Sequence, residues 1–280
     1  MPPNQTLLAN TARIFRIGRK VLGHTQVDVA AALGVSHGTV SKYEAGILQP
    51  SALDWFNFCT LVNIDSYRSL KDGYIDNCSR IQEVFYAKMG FTVAKRYQVR
   101  QHLKVREVLP LVHQVQAEAG PAAWDSWLKR IKMDPDYFHV YDAPLSVNFM
   151  QDLLASDILK SKPQKFLEKA ARFAGDLANH GNLRPVYSME TEPFGLLRTY
   201  VNKTNLYEDL LSYQSTNEGK YTKLTLDFKA NAEGDTPAFR DLYLNYKVDA
   251  IRHLICDNAK ARVEVLQERN RRVIILHNAA

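Results

Sequence analysis

His37, Gly38, Ser41 and Lys42 fall on the outward side of a short helical segment whose inward residues are Val40 and Tyr43. The outward group offers an imidazole, a hydroxyl and an ammonium, with a glycine where no side chain intrudes. This is donor chemistry for binding, suited to the acceptor-rich floor and walls of a DNA major groove. The chain shows no Gly-rich phosphate loop and no His-Glu-x-x-His that would point to phosphoryl transfer or zinc hydrolysis.

The elements that must position this face are written in the flanking residues. Thr25 can cap a first short helix, and Asp28 three residues on completes a capping box. Val29 and Leu33 point inward at i, i+4, and Ala30 is small where two helices cross. Gly34 supplies the positive φ that ends the helix, Val35 enters the core, and Ser36 caps the second helix. Before this pair, Ile14, Ile17, Val21 and Leu22 repeat at helical spacing. After it, Pro50-Ser51-Ala52-Leu53-Asp54 starts a fourth helix with a second capping box and an inner face of Phe56, Cys59, Leu61 and Val62. Asp65–Leu70 gives a fifth.

Thr25-Gln26, Gly34-Val35-Ser36 and the Glu-x-Gly ending at Gly46 together resemble the lambda-repressor-like helix-turn-helix family, of the Cro and xenobiotic-response-element type, over about residues 8–72. The resemblance implies a five-helix DNA-binding domain. It assigns Gln26 and Thr39 to phosphates and sets His37, Gly38 and Lys42 toward base edges, with Ser36 and Ser41 on the same surface. Arg19 and Glu44 match an ion pair that ties the first helix to the recognition helix in some members. Gly38 departs from the pattern, since glycine has nothing to offer a base and weakens a helix by roughly 1 kcal/mol. Direct readout is therefore expected to be sparse: Lys42 meets a guanine or a phosphate, His37 a base or a phosphate, and shape supplies the rest.

Composition fits a cytoplasmic regulator. The 280 residues are 46% hydrophobic, enough for two or three cored domains, and no run approaches a membrane span. The start, Met-Pro-Pro-Asn-Gln, lacks a signal-peptide layout. Cys59, Cys78 and Cys256 are widely spaced and odd in number, which points to reduced thiols. No cofactor or metal is expected. The net charge of +6 is uneven: residues 1–78 carry seven Lys/Arg against six Asp/Glu, and residues 79–130 carry nine against four. Arg80, Lys88, Lys95, Arg96, Arg100, Lys104 and Arg106 either extend a phosphate footprint or form a solvated helix face.

The expected architecture is multidomain: an all-α five-helix headpiece (residues 1–78), a helical linker or dimerisation segment (79–120), and an α+β domain with a small mixed sheet (121–280). Residues 79–118 read as one or two helices, with a kink or boundary at Pro110. Ala119-Gly120-Pro121 is a break, Trp124–Ile131 a short amphipathic turn or two, and 144–160 and 163–180 are helices. Arg198–Val201, Tyr221–Phe228, Arg262–Leu266 and Arg272–Leu276 have strand composition, with a hairpin connection at 268–271 and a helix at 238–257.

A headpiece of this kind reads a half-site, so a homodimer on an inverted-repeat operator is expected. The C-terminal region would dimerise the chain and house a small-molecule effector. Its layout is similar to ligand-sensing domains fused to bacterial regulators, including the vinyl-reductase-like and haem-nitric-oxide-binding folds. The aromatics at 137–141 and 243–246 line a pocket or fill a core. His139, His180 and His253 are lone candidates for a haem or metal ligand. Two other readings stand beside the regulator. A self-cleaving repressor would use Ala119-Gly120 with a Ser188–Lys223 dyad, although Val186-Tyr187 replaces the Gly-Asp that usually precedes the serine. A scaffold would use the headpiece for protein contacts.

Overall fold

The computed structural model describes residues 3–75, 90–100, 102–177, 184–190, 192–204, 208–218, 221–229, 236–259, 261–268 and 271–277. They form two compact units. Residues 1–98 and 125–144 make the first, and 99–124 with 145–280 make the second. These units do not follow the expected boundaries at 78/79 and 120/121. Residues 125–144 group with the headpiece because they pair with it: Ile75 N–H donates to the His139 carbonyl at 2.8 Å, and Asp134 N–H to the Thr92 carbonyl at 2.8 Å.

The first unit opens with α1 (Pro3–Leu22), α2 (Gln26–Leu33), α3 (His37–Glu44), α4 (Ala52–Val62) and α5 (Ser66–Asp72). Its core is centred on Phe15, which stacks on Phe58 with ring centroids 4.0 Å apart and lies 5.1 Å from Tyr43. Gly18 lets α1 and α4 approach: a Cβ there would stand 2.8 Å from the Phe58 ring and 2.9 Å from Val62. The inner face of α4 is Trp55, Phe58, Cys59 and Val62, whereas Phe56 is 56% exposed. Cys59 and Val62 face inward as expected, Leu61 is half-buried, and Trp55 and Phe58 take the place expected for Phe56. The helix carries bulky apolar groups on several sides, which leaves its phase open to sequence reading.

Residues 76–89, with Cys78, Arg80 and Lys88, lie outside the described residues, so the first part of the expected helical segment has no structural account. Helix α6 begins only at Val105 and runs to Ala119. Pro110 sits inside it without ending it, at the cost of the one backbone bond its missing N–H would have made. Gly120, at φ +89°, makes the expected break before α7 (Pro121–Arg130). Then come α8 (Val147–Leu154), α9 (Pro163–Gly175), α10 (Arg184–Ser188) and α11 (Pro193–Thr204). Arg198–Val201 is thus helical, not a strand: Leu196, Leu197, Tyr200, Val201 and Thr204 are buried at helical spacing.

The second unit carries one four-stranded sheet. Its strands are β1 (Leu211–Asn217), β2 (Tyr221–Phe228), β3 (Val263–Glu268) and β4 (Arg271–His277), in the order β1-β2-β4-β3. All three pairings are antiparallel, so the sheet is not mixed. Between β2 and β3 runs α12 (Pro237–Ala259), which packs along α9 and against the sheet. The apolar faces of β2 (Leu224, Leu226) and β4 (Val273, Ile274, Leu276) are buried.

Candidate DNA-contacting surface

The turn between α2 and α3 is built by local hydrogen bonds. Thr25 Oγ1 accepts the Asp28 N–H, and Asp28 Oδ2 accepts the Thr25 N–H at 2.7 Å, a complete capping box. These bonds also hold the Asp28 carboxyl below its usual range. Gly34 ends α2 at φ +68°, and Ser36 Oγ accepts the Thr39 N–H at 3.1 Å to start α3. Gly34-Val35-Ser36-His37-Gly38 also spells Gly-x-Ser-x-Gly. Ser36 here caps a helix that follows another helix, not the strand-to-helix turn that exposes a nucleophile.

Val40 and Tyr43 anchor α3 inward, at 0% and 4% exposure. Ser36, His37, Gly38 and Lys42 are exposed, and Thr39 and Ser41 are half-buried. The face of the recognition helix is thereby open. Gly38 has room for a side chain, since a Cβ would meet only Ser36 Oγ at 3.8 Å. Tyr43 donates to Asp54 Oδ2 at 2.8 Å, and burial with this acidic neighbour pushes its phenol up to about 12.

The structure brings Arg19 and Glu44 together. Arg19 Nε and Nη2 donate to the two Glu44 oxygens at 2.5 and 3.0 Å, and Arg19 Nη1 reaches the His24 carbonyl at 3.2 Å. Gln26 joins the same pair: its Nε2 donates to Glu44 Oε2 at 2.9 Å. This contact had no sequence signal, because residues 26 and 44 sit on different helices. One carboxylate thus fixes α1, α2 and α3 relative to one another, and it holds the Gln26 amide with one N–H still to give.

A second ionic group was also missed. Asp136 takes Arg16 Nε and Nη2 at 2.6 and 2.8 Å, and Lys20 Nζ bridges Asp136 and Asp134 at 2.9 and 2.7 Å. These side chains clamp residues 134–136 to α1. Burial would raise the Asp136 carboxyl, but the bonds and charges of Arg16 and Lys20 win and hold it well below the usual carboxylate range.

The remaining candidates are scattered. His139 lies in the first unit beside Tyr74, with ring centroids 5.0 Å apart; burial depresses it to about 3, and its Nδ1 finds no partner among the described residues. His253 faces Asp257 at 3.4 Å on α12, and His180 lies outside the described residues. Among the described residues, no group of three or more His, Cys, Asp or Glu is placed to hold a metal. Ser188 ends α10, and Lys223 stands in β2 opposite Thr216 and Ile275. No described helix is long and apolar enough to cross a membrane.

Residues 16–64 match the helix-turn-helix family model. They form a DNA-binding module, the element of a transcription regulator. Within that class the module is of the lambda-repressor/Cro type, and the region after it has no family assignment. No curated protein matches the chain. Among solved structures, a Tt H-NOX double variant is similar at a TM-score of 0.47 and 11% identity, over 64% of this chain and 96% of that one. A structure described by haem redox modulation through porphyrin distortion matches at 0.47 and 12%, over 62% and 99%. A Cs H-NOX variant bearing 4-cyano-L-phenylalanine matches at 0.44 and 13%, over 64% and 97%.

Proposed function

We propose that the protein is a sequence-specific transcriptional regulator that binds an inverted-repeat operator as a homodimer and carries an effector or dimerisation unit after its headpiece. The observation that carries this reading is the recognition helix: α3 is anchored by Val40 and Tyr43 while His37, Gly38 and Lys42 are exposed and Ser41 is half-buried beside them. Gln26 and Thr39 serve phosphates and set the register. Lys42 is the main base-edge or phosphate donor, and His37 a lesser one. With Gly38 offering no side chain, much of the specificity comes from DNA shape. One recognition helix reads one half-site, so two copies are required for tight binding.

In vitro selection from a random duplex pool with the full-length chain tests this reading. Enrichment of an inverted repeat with half-sites about one helical turn apart is the expected result. Folded protein that enriches no sequence would overturn it and favour a headpiece that contacts proteins.

A further inference from the structure

The second unit contains a cavity of about 220 Å³ between α9, α12 and β3. That is below the size of drug-sized ligand pockets and near that of a small metabolite. Leu167, Leu242 and Val265 give it an apolar wall. Two carboxylates, Glu168 and Asp249, share its lining. Asp249 accepts no hydrogen bond among the described residues, and its nearest cation, Arg252, stands 3.8 Å away, beyond hydrogen-bond reach. Burial raises the Asp249 carboxyl against the attraction of Arg252 and His253, and the exposed Glu168 adds a smaller repulsion. A half-buried carboxylate pressed by a second one is stabilised by a donor cation placed between them.

The polar side of the cavity is held in place from behind. Arg272 is 4% exposed, and its Nε donates to Asn245 Oδ1 at 2.9 Å while Nη2 reaches Asp241 Oδ1 at 3.0 Å. With its oxygen on Arg272, the Asn245 amide has its NH₂ left for the cavity it lines. Arg252 lines the same cavity with a half-exposed side chain. The polar lining therefore sets acceptors for an ammonium (Asp249, Glu168) beside donors for a carboxylate or carbonyl (Arg252, 3.8 Å from Asp249, and Asn245), next to an apolar wall.

We propose that this cavity binds a small primary-ammonium metabolite of amino-acid size, its ammonium on Asp249 and Glu168 and its chain against Leu167, Leu242 and Val265. Binding itself does not depend on the DNA reading; only a resulting change in operator affinity would. Failure of operator selection thus leaves the test below intact.

The test is calorimetric titration of the full-length chain with three matched probes: L-leucine, isoamylamine (the same chain without the carboxylate) and isocaproate (the same chain without the ammonium). Both ammonium probes are expected to bind with Kd of about 1 mM or tighter, and isocaproate is not. A lead of leucine over isoamylamine would identify an amino acid as the ligand; equal affinities would identify a simple amine. Asp249→Asn and, separately, Glu168→Gln should each weaken both by about tenfold with the melting temperature kept. The proposal is overturned if neither ammonium probe binds, if isocaproate binds as tightly as leucine, or if both variants bind like the wild type.

Discussion

The first unit pairs buried carboxylates with partly exposed cations, and the C-terminal unit buries a cation with its carboxylate. In the headpiece, Arg19, at 19% side-chain exposure, pairs with Glu44, and Arg16, at 38%, pairs with Asp136. In the C-terminal unit, Lys247 lies between Glu107 and Glu208, 3.0 Å from the latter, with Lys247 at 4% and Glu208 at 0%. Tyr213 and Tyr243 donate to the two Glu208 oxygens at 2.7 and 2.5 Å. The half-buried pairs orient helices and leave the recognition face free for a polyanion. The sealed triad joins α6, the segment just before β1 and α12 in one arrangement, because any shift strands a charge without water.

The largest effect should follow from breaking that triad. Lys247→Met leaves two buried carboxylates uncompensated and should cost the C-terminal unit about 3–5 kcal/mol, read as an early loss of sheet signal in thermal melts. An unchanged melt would mean the lysine is not sealed. Asp136→Asn removes charged acceptors from Arg16 and Lys20, and should cost about 2 kcal/mol at neutral pH. The sign follows from its depressed carboxyl: the wild type's advantage is complete above the unfolded value of about 3.9 and fades as pH falls toward the folded one. Glu208 is shifted the other way, raised chiefly by burial. Relative to Glu208→Gln, the wild type should therefore gain stability as pH falls toward the unfolded value, about 4.3. Melts of both variants from pH 7 down to pH 2 would show the two units responding with opposite signs, the Glu208 gain coming above about 4.3 and the Asp136 loss below about 3.9. Gly18→Ala should cost about 1–2 kcal/mol by overpacking Phe58 and Val62, and a neutral result would show that α1 and α4 can part.

How much of this could be read in the sequence follows the same division. The caps at Thr25, Ser36 and Ser51 and the positive-φ Gly34 are local devices, and each appears where its residue type predicts. The Arg19–Glu44 pair came only through family resemblance. Gln26 on Glu44 and Asp136 on Arg16 had no local signal, since they join residues on separate elements. Strand β1 was passed over because burial alternates only over Leu211–Tyr213 and the rest is exposed. Arg198–Val201 carries strand composition, but burial at helical spacing made it helix. The Glu107–Glu208–Lys247 group spans 140 residues of chain, so only the folded topology reveals it.

The most direct test of the central claim is fluorescence anisotropy of a selected duplex with full-length wild type and a Gln26→Ala/Lys42→Ala variant, at several salt concentrations. The account predicts that the variant loses about 100-fold in affinity and shows a shallower salt slope, with its melting temperature kept. A folded variant that binds the duplex as tightly as the wild type would contradict it.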